Sequence, residues 1–379
     1  MRRTNRIIPT YTGDVSGACS ALFELGGMVV IHDPSGCNST YNTHDETRWY
    51  DHDSLIFITG LTERDAILGN DDKLVDDVVE AARQLRPRFI ALCNSPIPFI
   101  SGTDFAAICR LVERACGIPC FYVRTNGMHD YVTGAGNAWV ALARRFVRPG
   151  ARCEGTANIL GATPLDLGVA GSDVPLRAFV GEAGFHTLSC WAMGSTLDDL
   201  SRAAEAQVSL VISASGLSVA RWLYEQAGIP YVVGFPVAGF APMLADSLRR
   251  AARTGRCLWP ATVGHGGPGE VCCAFVGEPV LSASLAAAAE REMGLAARVV
   301  CPLEVPDELV GAVDRCVEGE EGVEEALRGV RTVVADELYA PIVGEGVRHV
   351  ALPHQAFSGR NGWRTAVDPT TLDIRKLLA

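Results

Sequence analysis

Cys37 closes the segment Ile31-His32-Asp33-Pro34-Ser35-Gly36-Cys37, and its placement suits a metal ligand. An apolar run from Met28 to Ile31 leads into a Pro-Ser-Gly turn, which delivers a thiol at the carboxyl edge of a strand. Glycine lets the backbone bend tightly there, so the sulfur points outward and not into a core. Cys19 precedes it, and Cys93 ends a second strand-like run, Phe89-Ile90-Ala91-Leu92. Three cysteines at strand or turn ends in one domain point to a thiolate-held iron–sulfur cluster. Cys109, Cys116, Cys153, Cys190, Cys272, Cys273, Cys301 and Cys316 lie in apolar or helical patterns and read as small buried hydrophobes. No close Cys-x-x-Cys pair marks a zinc ribbon.

The elements that must position these groups alternate strand and helix along the whole chain. Strands are read at Gly26–Ile31, Leu55–Thr59, Phe89–Cys93 and Cys120–Val123. Helices are read from Glu63 to Leu85 with a break at Gly69-Asn70, from Thr103-Asp104 to Cys116, and from Ala135 to Val147. A second unit contains strands at Ala157–Gly161, Val208–Ser213 and Tyr231–Val233, with helices at Thr196–Ala206 and Ser218–Ala227. A third has strands at Val271–Val276, Ala296–Cys301, Thr332–Ala335 and His349–Leu352, with a helix at Ser282–Met293. Gly-Ile-Pro before a strand occurs twice, at Gly117 and Gly228, and reads as a helix cap leading into a strand. The expected fold is α/β, with three Rossmann-like domains and parallel sheets at 1–150, 151–262 and 263–379. Ligands in such folds sit at the carboxyl ends of strands, which is where Cys37, Cys93, Ser213 and His354 fall.

Composition narrows the function classes. At 379 residues the chain is too long for one ordinary core. Its net charge of -11 argues against a nucleic-acid partner held by phosphate contacts. No segment approaches the roughly 18 to 20 apolar residues of a membrane span. The basic start, Met1-Arg2-Arg3, lacks a following signal-peptide core. A cytoplasmic protein is expected, whose cysteines are thiols or metal ligands and not disulfides.

With these residues in place, the chain resembles the nitrogenase component 1 superfamily. That family includes the molybdenum–iron protein subunits, the cofactor scaffold pair and the dark-operative protochlorophyllide reductase catalytic subunits. The resemblance rests on Gly17-Ala18, on His32 to Cys37, and on Gly60-Leu61-Thr62-Glu63-Arg64-Asp65-Ala66-Ile67-Leu68-Gly69. It continues through Ser95-Pro96-Ile97, Ser101-Gly102-Thr103-Asp104, Gly228-Ile229-Pro230 and Phe357-Ser358-Gly359. It implies a dimer, homo- or heteromeric, with an iron–sulfur cluster at the subunit interface. It also implies electrons from a separate ATP-hydrolysing iron protein. No phosphate loop of the Gly-x-x-x-x-Gly-Lys-Ser/Thr type occurs in this chain, so no ATP site is expected. The glycine-rich segment from Gly264 to Gly269 precedes a strand and does not fit one.

Carried over by residue, Cys37 matches the family's turn cysteine. Cys93 lies two or three residues before the family's strand-end ligand, and Cys19 is the nearest match to its first cysteine. Two ligands per chain would share one [4Fe–4S] cluster across a dimer, and three would serve two; a simple cubane is favoured over an eight-iron cluster. The family's large-cofactor cysteine is absent, since Ser213-Ala214-Ser215-Gly216 stands there, while His354 lies near its histidine. Dinitrogen reduction is therefore not expected, and His354 becomes a candidate proton donor. The polar and aromatic stretch from Tyr41 to Asp53 is expected to line the substrate pocket, with His44 or His52 donating protons and Arg48 contacting an anion. The leading expectation is the catalytic component of a nitrogenase-like reductase acting on a small molecule or tetrapyrrole. A scaffold for metallocluster or cofactor assembly, without turnover of its own, is the alternative. A metal-free protein of repeated Rossmann-like domains is the third.

Overall fold

A computed structural model describes residues 5–8, 10, 12–34, 36, 46–267, 269–359 and 367–379. Cys37 and His44 lie outside the described residues. Strands β1 (Met28–His32), β2 (Leu55–Ile58), β3 (Ile90–Asn94) and β4 (Cys120–Val123) form a sheet in the order β2-β1-β3-β4. Strands β5 (Cys153–Leu160), β6 (His186–Cys190), β7 (Ala206–Val211) and β8 (Tyr231–Val233) form a second, ordered β6-β5-β7-β8. The third contains β9 (Cys273–Val276), β10 (Ala297–Cys301), β11 (Arg315–Cys316), β12 (Thr332–Ala335) and β13 (Arg348–Ala351), ordered β11-β10-β9-β12-β13.

Every strand pairing in these sheets is parallel. A parallel sheet has crossover helices on its faces, so its inner strands must be apolar on both sides. β1, β3 and β9 meet that demand and are buried at every position. Both Gly-Ile-Pro elements behave as read: Gly117 and Gly228 are left-handed caps that end helices just before β4 and β8. The break at Gly69-Asn70 is also present, separating helices Glu63–Leu68 and Asp71–Leu85. Among the described residues no helix is long and apolar enough to cross a membrane.

One cluster of buried apolar side chains joins the three sheets, running from Val15 and Trp139 through Trp191 and Leu217 to Val333 and Phe357. Helices Asp14–Leu22 and Tyr131–Phe146 cross within it at backbone contact. A Cβ on Gly17 would meet the Tyr131 carbonyl oxygen at 2.1 Å, and one on Gly134 would meet that of Asp14 at 1.8 Å. Only glycine allows this approach, and the crossing fixes Tyr131 over the junction of the sheets.

The glycine-rich segment near β9 has an internal partner. The Gly266 and Gly267 N–H groups donate to the Glu290 carboxylate at 2.9 and 3.0 Å. Its exposed amides thus already hold an anion, supplied by the chain.

Candidate functional site

Four side chains converge from residues that follow the carboxyl ends of strands in the second and third sheets. After β5, Thr163 caps the short helix Pro164–Leu167 and brings in Asp166. After β7 comes Ser213-Ala214-Ser215. After β9, Glu278 caps helix Pro279–Met293. After β13, His354 is anchored through its backbone N–H to Asp336 at 2.7 Å. The arrangement obeys the general rule that open α/β sheets build sites beyond their carboxyl edges.

Asp166 is the hub. Tyr131 Oη donates to its Oδ1 at 2.5 Å, and Thr163 Oγ1 and Ser215 Oγ each lie 3.0 Å from its Oδ2. Ser215 Oγ is 2.6 Å from Ser213 Oγ, which lies 2.9 Å from the Gly161 carbonyl. This row has three contacts but only two hydroxyl protons. Ser213 donates to the Gly161 carbonyl and Ser215 to Asp166, with the close Ser213–Ser215 contact between them. Burial raises the Asp166 carboxyl.

Glu278 accepts from the Ala214 and Leu281 N–H groups, both at 2.8 Å. Burial, with the nearby Asp166 charge, nonetheless pushes its carboxyl up to about 8. His354 is driven the other way, down to about 3, by burial. Its Nε2 lies 4.0 Å from Asp166 Oδ1, and neither ring nitrogen has a hydrogen-bond partner. Asp166, Glu278 and His354 line one cavity of about 30 Å³, with Ser282 and Gln355. That is room for one or two waters. Glu278, its carboxyl raised, is the group in this cavity suited to donate a proton, and His354 offers one donor and one acceptor with no partner in the chain.

The structure therefore brings His354 and the Ser213 segment together on Asp166, but not the other predicted residues. Arg48 is buried and committed to the chain. It donates to Glu46, to Glu24 at 3.0 Å, to the Ala192 carbonyl at 2.9 Å and to the Ser20 carbonyl at 2.8 Å. Its guanidinium also sits 4.7 Å over the Phe23 ring. As an anion contact it is corrected: no donor is left for a ligand, and its role is to fasten residues 46–48 onto helix Asp14–Leu22. His52 is exposed on the turn after Arg48 and does not line the cavity.

The cluster ligands need a similar correction. Cys19 and Cys93 are 1% and 0% exposed within the shared core. Burial raises both thiols well above their ordinary range. A ligand must also reach the metal, and in this chain both side chains are enclosed by the core. Among the described residues no three His, Cys, Asp or Glu side chains are grouped to hold a metal ion. Cys37, the third thiol of the sequence reading, lies outside the described residues.

Asp166, Glu278 and Tyr131 were missed by sequence reasoning. Thr163-Pro164-Leu165-Asp166 directly after a strand was the available signal, being a capped turn with a carboxylate at a carboxyl edge.

Comparison with known proteins places this geometry in a lineage. The family model described as Nitrogenase component 1 type Oxidoreductase matches residues 14–253, more than half of the chain. The chain belongs to that family. It is 26% identical over 219 residues to the nitrogenase iron-molybdenum cofactor biosynthesis protein NifE of Methanosarcina barkeri, covering 54% of this chain and 46% of the relative. It is 22% identical over 218 residues to the nitrogenase molybdenum-iron protein alpha chain of the same organism, covering 54% and 40%. The chain thus aligns with about half the length, or less, of these curated relatives. A solved structure described as "Nitrogenase Cp1 at pH 6.5" superposes over 100% of this chain and 93% of its own, with a TM-score of 0.70 at 16% identity. That likeness establishes the fold. In this family member the histidine and serine segments singled out by sequence lie on either side of Asp166.

Proposed function

We propose that this chain is the catalytic component of a nitrogenase-like reductase, with its reaction site in the Asp166–Glu278–His354 cavity. The observation that carries this reading is His354, a buried imidazole with two unpaired nitrogens, set beside a carboxyl that holds its proton up to about pH 8. No group of the chain pairs the ring nitrogens, so they are available to a molecule in the cavity. Glu278 supplies a proton to the reduced molecule and His354 orients it. A cavity of about 30 Å³ favours a small polar substrate over a tetrapyrrole.

Electrons are proposed to come from an ATP-hydrolysing iron protein, and an iron–sulfur cluster of [4Fe–4S] type would supply one-electron transfer when bound. Cys37 is the ligand proposed from this chain. Helices Glu63–Leu68 and Pro96–Ser101 expose Ile67, Leu68, Ile97, Phe99 and Ile100, an apolar surface that suits association with a second copy or a related subunit.

A scaffold for cofactor assembly is the second reading. It is supported by the similarity to proteins named for cofactor biosynthesis and by Ser213, where the family's cofactor cysteine is expected. Anaerobic purification, with iron and acid-labile sulfide analysis, followed by turnover assays with a cognate iron protein, tests both. Cys37→Ala should lose iron that Cys19→Ala and Cys93→Ala keep. Reduction of a small molecule that is lost in Glu278→Gln supports the reductase. Iron that transfers to an acceptor protein without turnover supports the scaffold.

A further inference from the structure

The sequence reads Cys301 and Cys316 as buried hydrophobes, but the structure sets them side by side at the edge of the third sheet. They are register partners on the adjacent parallel strands β10 and β11. Their sulfurs share one acceptor, the Leu303 carbonyl, at 3.9 and 3.4 Å. Cys301 is buried and Cys316 is exposed. β11 is an edge strand of two residues, so it can move to accept a bond. Neighbouring parallel strands hold their Cα atoms about 4.8 Å apart, inside the 4.4–6.8 Å span of disulfides.

We propose that Cys301 and Cys316 form a thiol–disulfide site that reacts with low-molecular-weight disulfides. Cys316 is the attacking sulfur and Cys301 the resolving one. The Cys316 thiolate attacks a disulfide RSSR, forming a mixed disulfide and releasing RS⁻, which takes a proton. The Cys301 thiol then loses its proton and attacks the Cys316 sulfur, releasing the second RSH. Two protein thiols are oxidised to one disulfide and RSSR is reduced to two RSH, so atoms and electrons balance. The neighbouring Cys301 thiol lowers the Cys316 thiol to about 7, which supports its role as the attacking group.

The pair borders the site described above. The segment between the two cysteines carries Glu304, whose backbone N–H donates to Asp130 at 2.6 Å and whose carboxylate meets His129 at 2.7 Å. A bond between Cys301 and Cys316 would close this segment into a loop while it holds the first domain against the third sheet.

The test uses the full chain with oxidised glutathione, alkylation of remaining thiols and peptide mapping. Exposed Cys153 serves as the internal reference. The expected result is a linked Cys301–Cys316 peptide pair, lighter by two hydrogens, with Cys316 consumed roughly threefold faster than Cys153. Cys301→Ser should instead accumulate glutathione on Cys316, and dithiothreitol should reverse both products. Stable glutathione on Cys316 in the unsubstituted chain, or no reaction at Cys316 beyond that at Cys153, would overturn the proposal.

Discussion

His354 Nε2 faces Asp166 Oδ1 at 4.0 Å without a hydrogen bond between them. An ion pair at that distance would hold the imidazole charged, yet burial outweighs it and leaves His354 neutral down to about pH 3. No group of the chain pairs either ring nitrogen. His354→Phe should therefore stabilise the protein by about 1–3 kcal/mol in equilibrium urea unfolding, by removing two unpaired nitrogens. It should also abolish turnover. Loss of stability in this variant would mean that His354 has a structural partner after all.

The sign of the acid response follows from the same group. A base whose native pKa is lowered contributes stability above its unfolded value, and that contribution is lost as pH falls from 6.5 toward about 3. The His354 ring resonance, followed by NMR in isotope-labelled protein, should stay in its neutral position throughout the range over which the protein remains folded. A titration midpoint near 6.5 would contradict the buried geometry.

Glu278 gives the opposite slope. Its native carboxyl is raised from 4.5 to about 8, so the native state binds the extra proton. The stability this supplies is full below about pH 4.5 and falls as pH rises through about 8. Glu278→Gln keeps the shape and removes the titration. Denaturation midpoints of the parent should drop between pH 6 and 9 relative to the variant, and parallel curves would place the raised group elsewhere.

Arg48 is expected to matter for folding before chemistry. Arg48→Met leaves Glu46, 2% exposed, without its cation and should cost about 3–5 kcal/mol in urea unfolding. Arg48→Lys should recover little, because an ammonium cannot reach Glu46, Glu24, Ser20 and Ala192 together. An Arg48→Met protein of unchanged stability that fails only in substrate affinity would restore the anion-contact reading.

These outcomes separate what a sequence carries from what folding adds. The three parallel sheets were legible because buried parallel strands must be apolar runs bounded by caps, as β3 and the Gly117 cap are. His354 and Ser213 were legible because they stand next to short motifs. Asp166 and Glu278 were not, since their raised pKa values come from burial near each other in the fold, more than a hundred residues apart in sequence. Arg48 misled because a dense polar stretch does not reveal that Glu24 and Glu46 will enclose it. Cys93 misled through strand periodicity: it pairs with Ile31 on the face of β3 that looks into the shared core, beside Cys19. Among the elements left unread, helix Asp173–Glu182 and strand β6 lie in a stretch of mixed pattern between 161 and 196.

Tyr131 reaches Asp166 only because helices Asp14–Leu22 and Tyr131–Phe146 touch at Gly17 and Gly134. A methyl on Gly134 would stand 1.8 Å from the Asp14 carbonyl oxygen, which is backbone and cannot swing aside. Gly134→Ala should therefore force the helices apart and cost about 1–3 kcal/mol in stability by overpacking. The same shift withdraws Tyr131 Oη from Asp166, leaving that carboxyl one donor short inside the core. Tyr131→Phe removes the donor without moving the helices, and is expected to cost about 1–3 kcal/mol. In the double variant the two losses should fall short of their sum, because the first already breaks the contact removed by the second. Full additivity in urea unfolding would show that the helix crossing does not position Tyr131.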